Sequence, residues 1–140
     1  MTPRQIALVQ TSFAHVVPIA TIAADLFYGR LFEIAPQLRR MFPDDLGEQK
    51  KKLMTMLGTV VNGLTRLDTL MPAVRALGKR HAGYGVHAEH FAPVGSALLW
   101  TLEQGLGKDY TAEVKDAWAT AYGVLAQAMS EAADEVRMAA

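Results

Sequence analysis

Cysteine is absent from all 140 residues of the chain. That absence removes disulfides, zinc–thiolate sites, iron–sulfur clusters and cysteine nucleophiles together, and it suits the cytosol without requiring it. Neither sign of charge is in excess, since Lys+Arg and Asp+Glu both number 14. The basic residues cluster only at Arg39-Arg40 and Lys50-Lys51-Lys52, which gives no electrostatic footprint for nucleic acid. Long apolar runs are missing too, none approaching the roughly 18 residues of a membrane span. The N-terminal stretch most like a signal peptide is interrupted by Gln10, Thr11, Ser12 and His15, so it reads as part of the fold. Strand-like alternation, internal repeats and low-complexity tracts are also lacking.

What is present is apolar periodicity, with 51% hydrophobic and 20% charged residues. A chain of this length forms one domain, residues 1–140, and buries about 70% of its unfolded surface. Thr2-Pro3-Arg4-Gln5 combines a capping residue, a proline suited to the first helical position and a Gln three residues after the cap, predicting a helix to about His15. Ile19, Ile22, Ala23, Leu26, Phe27 and Leu31 give a second stripe that Pro36 closes. A short turn through Met41-Phe42 follows, and Asp45 with Glu48 resembles a capping pair for a helix burying Leu53, Met56, Leu57, Val60, Val61 and Leu64. A further helix ends at His81, stopped by Gly83 and Gly85. One from about His87 to Gly105 would be kinked by Pro93 if it starts that early, and the last runs from about Thr111 to Val136. The class is all-α, with helices too unequal for a regular four-helix bundle.

Three polar residues stand on apolar helical faces. His81 shares its face with Val74, Leu77 and Gly78. Its imidazole needs a partner there, and both a backbone carbonyl and a metal qualify. Tyr28 interrupts the apolar stretch Leu26 to Phe32, either as a core plug with its hydroxyl bonded locally or as a donor to a ligand. Gln49 lies four residues before Leu53 and so shares its face, either solvated or turned inward.

Phe27-Tyr28-x-x-Leu31-Phe32 with Pro36, Phe42, Gln49-x-x-x-Leu53, His81 with Gly85-Val86, Val94-Gly95 and Asp116-Ala117-Trp118-x-x-Ala121-Tyr122-Gly123-Val124 follow one another in order. In this pattern, over nearly its whole length, the chain resembles the single-domain bacterial haemoglobins, which are similar to the globin half of flavohaemoglobins. The resemblance implies a globin fold, a three-over-three helical sandwich around haem b, with His81 as the proximal iron ligand. It implies Phe42 stacked on the porphyrin and Leu53, Leu77, Val86, Phe91 and Val94 as an apolar wall, which keeps out the water that promotes iron oxidation. Lys52, Lys79 and Arg80 are placed to reach a haem propionate, and Tyr122 to touch the haem edge. Tyr28 and Gln49 would donate to oxygen, nitric oxide or carbon monoxide, and two such bonds would mostly slow release.

The pattern also departs from the family. Flavohaemoglobins and many single-domain relatives carry a Tyr and a Glu hydrogen-bonded beside the proximal His, and alignment from His81 puts Phe91 and Ala133 there. Glu131 and Glu135 stand two residues off, on other parts of the helix surface. A carbonyl near Leu77 is then the expected partner of the imidazole, which argues against peroxidase-like chemistry that needs electron push. The implied function is reversible oxygen binding by a monomer or homodimer. The alternative is nitric oxide dioxygenation, which in a chain without room for a flavin domain needs a separate reductase. A haem-free helical interaction module is the third class. Met54 and Met56 read as core filler, and His15, His87 and His90 as surface or helix-end residues.

Overall fold

Thr2 opens the first helix in a computed structural model of the chain, which describes residues 1–139. Its Oγ1 accepts the Gln5 N–H at 3.1 Å, and Gln5 Oε1 accepts the Thr2 N–H at 2.9 Å, the reciprocal cap read from the sequence. Six α-helices follow: α1 Pro3–Val16, α2 Ala20–Ile34, α3 Gly47–Gly63, α4 Leu67–Gly83, α5 Phe91–Leu106 and α6 Ala112–Ala139. Short 3-10 turns join them at Val17–Ile19, Pro36–Met41, Leu64–Arg66, Ala88–His90 and Gly107–Asp109. No strand occurs among the described residues. The helices form two layers, α1, α3 and α4 over α2, α5 and α6, with α4 and α1 packed on α6 and α2 on α5.

Several details refine or correct the sequence expectation. Asp45 and Glu48 do not form a capping pair: the N-cap of α3 is Leu46, and Asp45 Oδ1 instead accepts the Gly47 N–H at 2.9 Å. Helix α5 starts at Phe91 rather than His87, which puts Pro93 in its first turn, where a missing N–H costs nothing and no kink follows. Helix α4 begins at Leu67 and contains Pro72, whose absent N–H releases only the Asp68 carbonyl, in an exposed part of the first turn. Finally, Pro3–Ile34 is a helical run long and apolar enough, by length and composition, to cross a membrane, although polar residues break any uninterrupted apolar stretch in it. It bends at Val17–Ile19, and its Val9, Phe13, Val16, Ala23, Phe27, Tyr28 and Leu31 belong to the main core. Ile22, expected on the buried stripe, is 57% exposed.

The main core joins α1, α2, α5 and α6 around Val9, Leu31, Ala97, Ala117 and Trp118. Trp118 donates its indole N–H to Ser12 Oγ at 2.8 Å in this buried setting, which satisfies a donor that water cannot reach. A smaller cluster of Val60, Leu70 and Val74, backed by Leu125, Ala128 and Met129, fastens α3 and α4 to α6. Gly78 makes that contact possible, because a Cβ there would stand 2.5 Å from the Met129 carbonyl oxygen. Gly95 does the same for α5, where a Cβ would meet the Tyr122 ring at 2.7 Å.

Candidate haem site

His81 sits in the last turn of α4, and the way that helix stops determines how the residue is held. Gly85 takes φ +87°, a left-handed conformation open to glycine, which turns the chain back on the helix. The Gly85 N–H then donates to the Ala82 carbonyl at 3.1 Å and the Val86 N–H to the His81 carbonyl at 3.0 Å, the paired bonds of a Schellman stop. The imidazole Nδ1 lies 2.8 Å from the Leu77 carbonyl. A carbonyl only accepts, so Nδ1 carries the proton, and the neutral ring leaves its lone pair on Nε2. Nε2 has no hydrogen-bond partner among the described residues, nor do three or more His, Cys, Asp or Glu gather there or elsewhere. His81 therefore has no cluster of protein ligands beside it for a bare ion, and its Nε2 would suit a metal whose remaining ligands come from a prosthetic ring.

Tyr28 is 3% exposed, at the centre of an aromatic group. Its ring lies 5.0 Å from Phe27, 5.6 Å from Phe42 and 6.0 Å from Phe32, and Phe32 lies 5.5 Å from Phe42, in edge or tilted arrangements. Burial pushes the Tyr28 phenol above its usual value, an effect opposed by hydrogen bonding with the Gln49 side chain. Tyr28 lies in the middle of α2 and Gln49 in the first turn of α3, two helices that pack on each other. A salt bridge of 2.9 Å from Lys50 to Asp25 fastens the same two helices beside them.

The predicted apolar wall has one property in common. Phe42, Leu53, Leu77, Val86, Phe91, Val94 and Tyr122 are all half-buried, and all but Tyr122 belong to residue types often found fully buried. Tyr122 donates its hydroxyl to the Phe91 carbonyl at 2.7 Å, and burial pushes its phenol far above the usual range. Lys52, Lys79 and Arg80 are exposed, as propionate partners must be. Of the other residues weighed, His15 and His87 are exposed, and the His87 N–H donates to His90 Nδ1 at 2.9 Å. Met54 packs against the main core and Met56 against the smaller cluster.

The family's Tyr–Glu positions are filled without a relay. Phe91 and Ala133 line a small cavity of about 10 Å³ that also reaches His81, Val86, Asp134 and Arg137. Glu131 is exposed and bonded to Gln127 at 3.2 Å, while Glu135 pairs with Arg75. Two contacts around the site escaped the sequence reading. Lys50–Asp25 had a weak signal, an acid three residues before Tyr28. The bond from the Arg137 guanidinium to the Val86 carbonyl had none, because 51 residues separate the two.

Half-buried apolar side chains on α3, α4 and α5, an imidazole with a free nitrogen and a buried phenol on α2 suit a helical protein built around a flat apolar prosthetic group. The globin family model matches residues 25–129. Neuroglobin-1 of Oncorhynchus mykiss is 33% identical over 120 residues, 75% of each chain. A flavohemoprotein of Bordetella parapertussis is 36% identical over 103 residues, 71% of this chain but 26% of that longer one. Among solved structures, an engineered carbene transferase, a putative nitric oxide dioxygenase from Rhodothermus marinus, superposes with a TM-score of 0.88 at 26% identity, covering 99% of this chain and 97% of that one. A bacterial globin from Campylobacter jejuni gives 0.81 at 24% identity over 97% and 99%, a likeness of fold. The chain belongs to the globin family. It is a haem b protein that binds diatomic gases such as oxygen, and its helices form the three-over-three sandwich.

Proposed function

We propose that the chain binds oxygen reversibly, with His81 as the proximal ligand of the haem iron and Tyr28 and Gln49 as hydrogen-bond donors to the gas. The observation that carries this reading is the Nδ1–H bond of His81 to the Leu77 carbonyl, which commits the proton and leaves Nε2 basic. Haem, when bound, supplies a ferrous iron that shares electron density with a diatomic ligand. The protein supplies the rest. Half-buried Phe42, Leu53, Leu77, Val86, Phe91 and Val94 would keep water from the haem, and exposed Lys52 and Arg80 would meet its propionates. Tyr28 keeps its proton across the physiological range because burial raises its pKa, so its hydroxyl remains a donor.

Each donor to a partly charged acceptor contributes on the order of 1.5–3 kcal/mol. Tenfold in affinity corresponds to about 1.4 kcal/mol, and the gain falls mainly on the release rate. Oxygen release is therefore slow. Stopped-flow displacement of oxygen by carbon monoxide tests this: equal release from the wild type and from the Tyr28→Phe, Gln49→Leu double variant refutes the distal assignment.

The second reading is nitric oxide dioxygenation, favoured by the fold likeness to the putative nitric oxide dioxygenase. Nitric oxide, dioxygen and one electron give nitrate, and the electron must come from a reductase. His81 bonded to a neutral carbonyl rather than a carboxylate donates less density to the iron, which places gas binding ahead of turnover. Nitrate formation on mixing the oxygenated protein with nitric oxide, repeated with a reductase-containing cell extract, separates a single event from catalysis.

A further inference from the structure

The segment after His81 is held from outside its own helix. Within α4, the His81 carbonyl accepts N–H groups from Tyr84 and Val86, both at 3.0 Å, and the ring is fixed to Leu77. These bonds tie the histidine to the turn, so whatever moves the turn moves the imidazole. The Val86 carbonyl of this turn is held from α6. It accepts a hydrogen bond from the Arg137 guanidinium in the last turns of α6, and the other terminal nitrogen of Arg137 lies 3.6 Å from Asp134. Ser130 and His87 line the cavity beside the turn but make no side-chain hydrogen bond to the Val86 carbonyl. Ala133 and Phe91, which face the same small cavity, have no side-chain donor or acceptor, and the space between α6 and the turn holds about 10 Å³, room for at most one water.

We infer that Arg137 is a positioning residue for the proximal histidine: through the Val86 peptide, its guanidinium sets the angle and tightness with which His81 meets the iron. The inference rests on His81 being the iron ligand. In physical terms, α6 controls the histidine through the main chain, at the place where a side-chain relay would otherwise act through the ring. A planar guanidinium suits the task, since it stays charged and its fork holds a carbonyl and a carboxylate together. The nearby Arg75–Glu135 pair also joins α4 to α6, but it acts six residues upstream of His81 and touches neither the turn nor the ring. It serves as the control for a merely structural link.

The test is resonance Raman spectroscopy of the gas-free ferrous protein, reading the iron–histidine stretching band, with the rate of haem release to an excess of a haem-scavenging apoprotein measured in parallel. Arg137→Met shifts and broadens the band and speeds haem release roughly tenfold, in the range found for groups supporting metal ligands. Arg137→Lys, with a single cationic donor, restores most of the wild-type band. Asp134→Asn, which leaves the Val86 bond intact, gives a smaller shift in the same direction and keeps the question open to measurement should Arg137→Met fold poorly. Arg75→Met leaves the band unmoved. An unchanged band in Arg137→Met, or an equal shift in Arg75→Met, overturns the inference. A His81→Gly variant separates this failure from failure of the ligand assignment: if it retains the band, His81 is not the ligand, whereas loss of the band there with none of these Arg137 effects leaves the ligand standing and removes Arg137.

Discussion

The two ends of this molecule bury their apolar residues differently. Where α1, α2, α5 and α6 meet, Val9, Leu31, Ala97 and Ala117 are at most 1% exposed and Trp118 has its N–H satisfied. Along the facing sides of α3, α4 and the start of α5, residues just as apolar, Leu53, Leu77, Phe91 and Val94, stop at half burial. At this second, open end the half-buried side chains would complete their contacts on a bound haem, whereas at the first, closed end most side chains pack on protein atoms around a cavity of about 20 Å³. The hydrophobic effect acts on both, but at the open end its gain of about 25 cal/mol per Å² is realised on haem binding rather than on folding.

That contrast is breakable. Substitution of the distal donors should change gas binding most, and substitution at close-packed helix contacts should change the stability of the haem-free fold most. The largest effect belongs to the distal pair: Tyr28→Phe with Gln49→Leu accelerates oxygen release by roughly a hundredfold or more, the sum of two charge-assisted bonds. Gly78→Ala comes next. Its Cβ would meet Met129 backbone at 2.5 Å, and denaturant unfolding of the apoprotein should show a loss of about 1–3 kcal/mol as α4 is pushed off α6. Ser12→Ala leaves the buried Trp118 N–H unpaired and should cost about 1–2 kcal/mol in the same assay, with the oxygen release rate unchanged.

The smallest effect is one of pH. Burial raises the Tyr28 phenol above the ordinary value of 10.0, so the folded state holds this proton more tightly than the unfolded one. The resulting stability is complete below about pH 10, where the unfolded phenol ionises, and is lost as pH rises through the higher folded value. Unfolding curves of Tyr28→Phe should accordingly fall less steeply with pH above 10 than those of the wild type. Identical slopes would remove Tyr28 from the buried set.

Legibility in the sequence tracked the range of the interaction. The Thr2–Gln5 cap, the stop at Gly83 and Gly85 and the faces of α2, α3 and α4 are set by neighbours within one or two turns, and they were readable. Asp45 misled because the same carboxylate serves a cap or a tight turn equally well, and the turn at Gly47 won. The start of α5 was misplaced because a proline is equally at home in a first turn and at a kink, and only the 3-10 turn at Ala88–His90 decides. The order of Tyr28, Phe42, Gln49, Leu53 and His81 announced the cleft, since a resemblance carries long-range information that periodicity lacks. The contacts of Arg137 with Val86 and of Gly78 with Met129 join residues 51 apart and depend on how α6 lies across α4. No local pattern encodes them.

The account turns on His81, and the most direct measurement is the ferrous gas-free spectrum of the haem-reconstituted protein beside that of His81→Gly with and without added imidazole. The account predicts an iron–histidine stretching band in the wild type, its loss in His81→Gly and its return with imidazole. A band that persists in His81→Gly without imidazole contradicts it.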